Sequence, residues 1–211
     1  PRVFAVACVI AVLAATGCSS NDGASSGASG STSTTVASEP SSTVEEVDPS
    51  IEANLLAAEA FIDAFYSYDS DRLAAALEMA PSVLPAIGFY QGWAEGANYK
   101  VLERSCESSG TLLVICPITV EDDLLLALGS EFKVTDTFTV YAEDGLITNI
   151  TTSSDDPPDS SDAWSYMYDQ SDLRAEGAPC EGFFDGGPTP GECARVWVEG
   201  YKQYATDNLS G

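Results

Sequence analysis

The sequence predicts an α+β fold in which helices come first, strands follow as a run, and helices return. Three patterns carry this. Apolar residues recur every three or four positions from about 52 to 97, alternate or run continuously from 99 to 152, and recur at helical spacing from 164 onward. A parallel sheet would need strands and helices to alternate along the chain, and they do not.

From Glu52 to Tyr68, apolar Leu55, Leu56, Phe61, Ile62, Phe65 and Tyr66 recur at a spacing of three and four, with acids at Glu52, Glu59 and Asp63, which predicts an amphipathic helix. Ser70 is the expected N-cap of a second helix through Leu73 and Leu77 to Met79, stopped by Pro81. A third covers Pro85 to Ala97 and presents Ile87, Tyr90 and Trp93 or Ala94. Tyr99, Val101 and Glu103 begin a strand, and Glu107-Ser108-Ser109-Gly110 turns the chain. Thr111 to Val120 is nearly all apolar and reads as a strand buried on both faces. Leu124 to Leu128 reads as a further short strand or a helical turn. Phe132, Val134, Phe138 and Val140 alternate with Lys133, Thr135, Thr137 and Thr139, a half-buried strand, and Asp144-Gly145 marks a hairpin returning through Leu146 to Thr152. After a polar loop, Trp164, Met167 and Tyr168 suggest a short helix. Thr189-Pro190-Gly191-Glu192 then forms a capping-box signature before a last helix presenting Ala194, Trp197, Tyr201 and Tyr204.

The chain of 211 residues carries 33 acidic and 8 basic side chains, a formal net charge of −25, and no histidine. Such a surface repels nucleic acid and anionic head groups. The missing imidazole removes Ser-His-Asp and Cys-His nucleophiles, histidine metal ligands and a histidine base. Arg2 precedes an apolar run from Val3 to Ala15, shorter than the about 20 residues of a spanning helix, so it reads as an export signal. Pro1 is not an initiator residue, so the coding start is expected upstream of it. The segment Leu13-Ala14-Ala15-Thr16-Gly17-Cys18 resembles the lipobox of bacterial lipoproteins, although Ala15 stands where leucine is commonest. The resemblance implies that residues 1–18 are a signal and that Cys18 receives a lipid. The protein is then anchored to the outer face of the membrane in the bacterial cell envelope; an ordinary cleaved signal is the alternative. Residues 19–49 are rich in Ser, Thr and Gly, too polar to fold, and reach on the order of 30 Å as a tether. The folding domain is then 50–211, with a C-terminal helical extension from about 155.

Four further cysteines, Cys106, Cys116, Cys180 and Cys193, read as two disulfides in an exported domain, with three connectivities possible. Cys106 with Cys116 is easy to bridge across a strand turn, and Cys180 with Cys193 would pin a Gly- and Pro-rich loop to the last helix. No Cys-x-x-Cys pair supports zinc. Acidic runs at Glu121-Asp122-Asp123 and Asp155 to Asp162 lack EF-hand spacing and read as solvated turns, so neither a metal nor a cofactor is expected.

The stretch Glu59-Ala60-Phe61-Ile62-Asp63-Ala64-Phe65-Tyr66, followed by Asp71-Arg72-Leu73-Ala74-Ala75-Ala76-Leu77, resembles the opening helices of the nuclear transport factor 2-like superfamily. Phe138 to Ile147, with its Asp-Gly turn, is similar to that superfamily's recurring strand pair. The resemblance covers roughly residues 51–154. It implies a cone-shaped, curved antiparallel sheet packed on the N-terminal helices, with a pocket at the open end.

Asp136 falls on the same strand face as Phe132, Val134, Phe138 and Val140. A carboxylate on an apolar face has its pKa raised by desolvation and suits proton abstraction. This resembles the acid within an apolar cone of ketosteroid isomerase and the SnoaL cyclase. A tyrosine, from Tyr66, Tyr90 or Tyr99, would then be the oxyanion donor. A bulge near Thr135 that turns Asp136 outward, or neutralisation by Arg104, are the competing readings. Phe61, Phe65, Tyr66, Trp93, Phe132 and Phe138 form the candidate pocket lining, with core packing the commoner fate of each. No convincing acid–base pair stands out, so the leading expectation is a non-catalytic domain that binds a small apolar ligand or a protein partner. The alternatives are a SnoaL-like isomerase or lyase using Asp136, and a structural module, with a dimer among its forms, assembling through Thr137, Thr139 and Tyr141.

Overall fold

A computed structural model describes residues 48–157, 160–183 and 189–209. The export signal, Cys18 and nearly all of the tether lie outside the described residues. Helix α1 spans Pro49–Phe65; Asp48 caps it by accepting the Ser50 N–H at 2.9 Å, and proline occupies its first turn. Helix α2, Ser70–Ala76, is capped by Asp69, which accepts from Asp71 and Arg72, so the expected cap at Ser70 is displaced by one residue to a carboxylate. Helix α3 spans Leu84–Gly96.

The sheet is antiparallel and open, with β1 (Lys100–Arg104), β3 (Leu113–Glu121), β4 (Val134–Glu143) and β5 (Leu146–Ser154) in that order. The short β2 (Glu107–Ser108) also pairs with β3, continuing the β1 edge. The β4–β5 turn places Asp144 and Gly145 at positive φ, 51° and 78°, the backbone that a two-residue hairpin turn favours. Strand β3 is not buried on both faces. Val114, Cys116, Ile118 and Val120 are fully buried, whereas Leu113, Ile115, Pro117 and Thr119 are half-buried, because α1 covers only one side. The apolar run therefore concealed an ordinary alternation.

The main core lies between α1 and the sheet, around Phe61, Phe65, Phe138 and the inward residues of β3 and β4. Two buried amides tie it to backbone. Asn54 donates to the Thr111 carbonyl and accepts the Gly145 N–H, each at 2.8 Å. Gln91 donates to the carbonyls of Ala64 and Phe65, which the end of α1 leaves without helical partners.

Leu124 and its neighbours form a helical turn, α4 (Asp123–Ala127), capped by Asp122 through the Leu125 N–H at 2.8 Å. After β5 come α5 (Ser160–Tyr168), a 3-10 turn at Ser171–Arg174, and α6 (Pro190–Asn208). Thr189 precedes α6 without making a side-chain cap. Its hydroxyl donates to the Pro179 carbonyl instead, so the capping box does not form. Helix α6 packs on α3 where Gly92 and Gly96 face Pro190 and Gly191; a Cβ on Gly96 would lie 2.2 Å from the Gly191 oxygen. Cys106 pairs with Cys116, and Cys180 with Cys193. These bonds fit an oxidising, exported environment. Among the described residues, no helix is long and apolar enough to cross a membrane.

Candidate functional site

Where β5 ends, α3, α4, α5 and α6 meet around a cavity of about 690 Å³. Each element contributes through its own periodicity. Helix α3 supplies Phe89, Tyr90 and Trp93 from one face, since positions three and four apart are neighbours on a helix. Helix α5 supplies Trp164 among Ser160, Ser161 and Ser165, and α6 supplies Tyr201. Tyr99 precedes β1, and Phe183 follows the Cys180 bridge. The rings brace one another: Trp93 and Phe183 have centroids 5.1 Å apart, Trp164 and Phe183 5.9 Å, and Trp164 and Trp197 4.4 Å.

Among the described residues, two carboxylates, Asp122 and Asp156, also line the cavity, and no basic side chain does. Burial pushes Asp122 up to about 6, opposed by the N–H groups of Leu125 and Leu124 and reinforced by Asp156 and Asp136. Burial also raises Asp156, with Asp155 adding to the effect. Tyr99 and Tyr201 are held well above the ordinary phenol range, by burial first and then by these acids.

Asp136 is 1% exposed and lies inside the sheet. The β3–β4 ladder runs without interruption through Thr135 and Asp136; the irregularity of β4 falls at Tyr141 and Ala142, against β5. Its Oδ1 accepts from the Ser154 hydroxyl, while Oδ2 is buried with no hydrogen-bond partner. Burial raises its pKa, the Ser154 and Tyr90 hydroxyls oppose the shift, and Asp156 and Asp155 add to it. Arg104 does not reach it, being paired with Asp63. The Tyr66 hydroxyl is likewise buried without a partner, and its pKa is raised by burial and then by Asp136.

Of the six aromatic residues expected in a pocket, only Trp93 lines this one. Phe61, Phe65 and Phe138 are fully buried in the main core, because they face the sheet interior with no space beside them. Tyr66 lines a separate hollow of about 420 Å³ with Tyr68 and Arg104. Phe132 precedes β4 and is 40% exposed, outside the alternation that would have turned it inward. Tyr90 and Tyr99, expected as hydroxyl donors, both reach the cavity wall. Thr137, Thr139 and Tyr141 sit on the outward face of β4, half-buried or exposed. Glu121, from the acidic run, is engaged by Lys133 at 2.6 Å and Lys100 at 3.6 Å. Among the described residues, no group of three or more histidine, cysteine or acidic side chains is arranged to hold a metal ion.

The meeting of Trp164, Phe183, Tyr201 and Asp122 in one cavity escaped the sequence reading because they converge from separate elements. One signal was available: all three tryptophans sit in helical segments outside the sheet, and two of them flank the Cys180–Cys193 loop. Comparison of the chain with protein-family models, with curated proteins and with solved structures finds no match.

Proposed function

We propose that this is an exported lipoprotein, held at the membrane through Cys18, whose nuclear transport factor 2-like cone binds a small, largely apolar molecule without transforming it. The observation that carries this reading is the aromatic cavity of about 690 Å³ at the end of the sheet. Small-molecule sites are concave, mostly apolar, and on the order of 300–1,000 Å³ in volume. A protein partner would more commonly meet a flatter face. Non-catalytic binding is favoured because Asp136, the base expected from the strand pattern, does not line the cavity, and Asp122, which does, is engaged in capping α4 through the Leu125 N–H. The two disulfides agree with export. Native mass spectrometry of protein purified from an oxidising compartment tests the reading. It predicts a mass excess released on denaturation, or a bound species when small hydrophobic probes are added. A bare chain under both conditions overturns it.

A second reading has one observation in its favour. The Asp136 Oδ2 and the Tyr66 hydroxyl are both buried and unpartnered, the kind of polar groups that a substrate could satisfy. In a SnoaL-like isomerase or lyase, Asp136 would remove a proton and a neighbouring tyrosine hydroxyl would stabilise the resulting oxyanion. Unchanged turnover of any substrate in Asp136→Asn would rule this reading out.

A further inference from the structure

We propose that the cavity selects an organic cation, an ammonium group carried on an apolar body. The inference rests on the binding reading above and names its ligand class. The walls present Trp93, Trp164, Phe183 and Tyr201, and the negative faces of such rings attract a cation, tryptophan most strongly. Asp122 and Asp156 stand in the same lining, with Asp136 close behind Ser154 and Tyr90. Among the described residues, no lysine or arginine lines the cavity, and the ion pairs of the fold lie outside it, at Asp63, Glu121 and Glu199. Asp122 and Asp156 stand in one aromatic lining without a cationic side chain beside them, a place that a cationic ligand would fill.

The other ligand classes fit less well. An anion would meet two carboxylates and a chain of net charge −25. A neutral apolar ligand would strip water from the exposed Asp156 and return nothing. A small hard metal ion needs several oxygens at short range, and no described acidic group is so arranged. A diffuse cation satisfies rings and carboxylates together, and the volume admits its apolar body. The acids facing Asp122 are Asp156 and Asp136, with Tyr99 and Tyr201 alongside. Protonating Asp122 removes attraction for the ligand, so affinity rises as pH passes upward through about 6.

The test is a tryptophan-fluorescence titration of the purified, disulfide-bonded protein with three probes of similar size: phenyltrimethylammonium, neutral tert-butylbenzene and anionic benzoate. Trp93 and Trp164 line the cavity and supply the signal. The cation should bind saturably and at least about tenfold tighter than its neutral counterpart, and benzoate should not saturate. Asp156→Asn, at an exposed position, and Asp122→Asn should each weaken the cation about threefold or more and leave tert-butylbenzene unchanged. Trp164→Ala should weaken both probes, and the two Asn variants carry the test if that substitution perturbs folding. Equal binding of the cation and tert-butylbenzene overturns the cation proposal and leaves the binding reading standing. Failure of all three probes overturns both.

Discussion

Under the sheet, Phe61, Phe65 and Phe138 pack with centroids 5.0–6.2 Å apart and are completely buried. Beyond the end of the sheet, Trp93, Trp164, Phe183 and Trp197 pack at 4.4–5.9 Å, yet Trp164 remains 38% exposed and a cavity opens beside the rings. The ring spacings are similar and the surroundings differ. The first assembly is clamped between α1 and a hydrogen-bonded ladder whose inward residues are buried against it. The second is assembled from helix ends and a loop, held by α6 against α3 and by the Cys180–Cys193 bridge. Dense packing follows from the periodicity of strands and helices, whereas a ligand-sized space arises where elements of different direction converge and none can fill the gap.

The contrast can be broken at either side. Phe138→Ala should have the largest effect, about 3–5 kcal/mol lost, because the ring is fully buried and touches Phe61, Phe65, Tyr66 and Tyr90. Denaturant unfolding should show this as a loss shared by the whole domain. Replacing Cys180 and Cys193 together by serine removes a cross-link between residues 13 apart and should cost about 3 kcal/mol on the chain-entropy estimate. Hydrogen exchange should then rise in α5 and α6 while the amides of β3 and β4 keep their protection. Rapid exchange throughout the sheet would mean that the two assemblies stabilise one another and are not separable.

A pH dependence sharpens the comparison from the electrostatic side. Asp122 has a folded pKa of about 6 against an ordinary value of 3.8, so between these limits the folded state holds more protons than the unfolded state. The stability from this group is greatest below about pH 4 and falls as pH rises through about 6, by on the order of 3 kcal/mol. Burial of Asp136 acts in the same direction. Asp122→Asn retains an acceptor for the Leu125 N–H, so urea midpoints for that variant should vary less across this range and lie higher near neutrality. The smallest expected effect is Phe132→Ala, within about 0.5 kcal/mol, since the ring is 40% exposed and belongs to neither assembly. A larger loss in thermal melts would give Phe132 a partner that its position does not suggest.

The main core was the more legible of the two assemblies. Helical spacing in α1 and alternation in β4 located its ring cluster and the inward direction of Asp136, because those periodicities are properties of single elements. The same reasoning misread β3, where a continuous apolar run does not tell which face is covered. It also misplaced Phe132, since the alternation was extended past the start of the strand. The cavity was illegible for a different reason. Trp93, Trp164 and Tyr201 lie tens of residues apart, and what unites them is the contact of α3 with α6. The close approach of Gly96 to Gly191 that makes this contact leaves only a glycine at each position as its trace.

The account turns on the cavity being a binding site for a cation, and its own tryptophans report on that most directly. A nitrogen–proton correlation spectrum resolves the three indole N–H signals and can be followed as phenyltrimethylammonium is added. The account predicts saturable shifts for Trp93 and Trp164, which line the cavity, with the amides around Phe61 and Phe138 unmoved. Indole signals that stay fixed to saturating probe, or shifts confined to the main core, would contradict it.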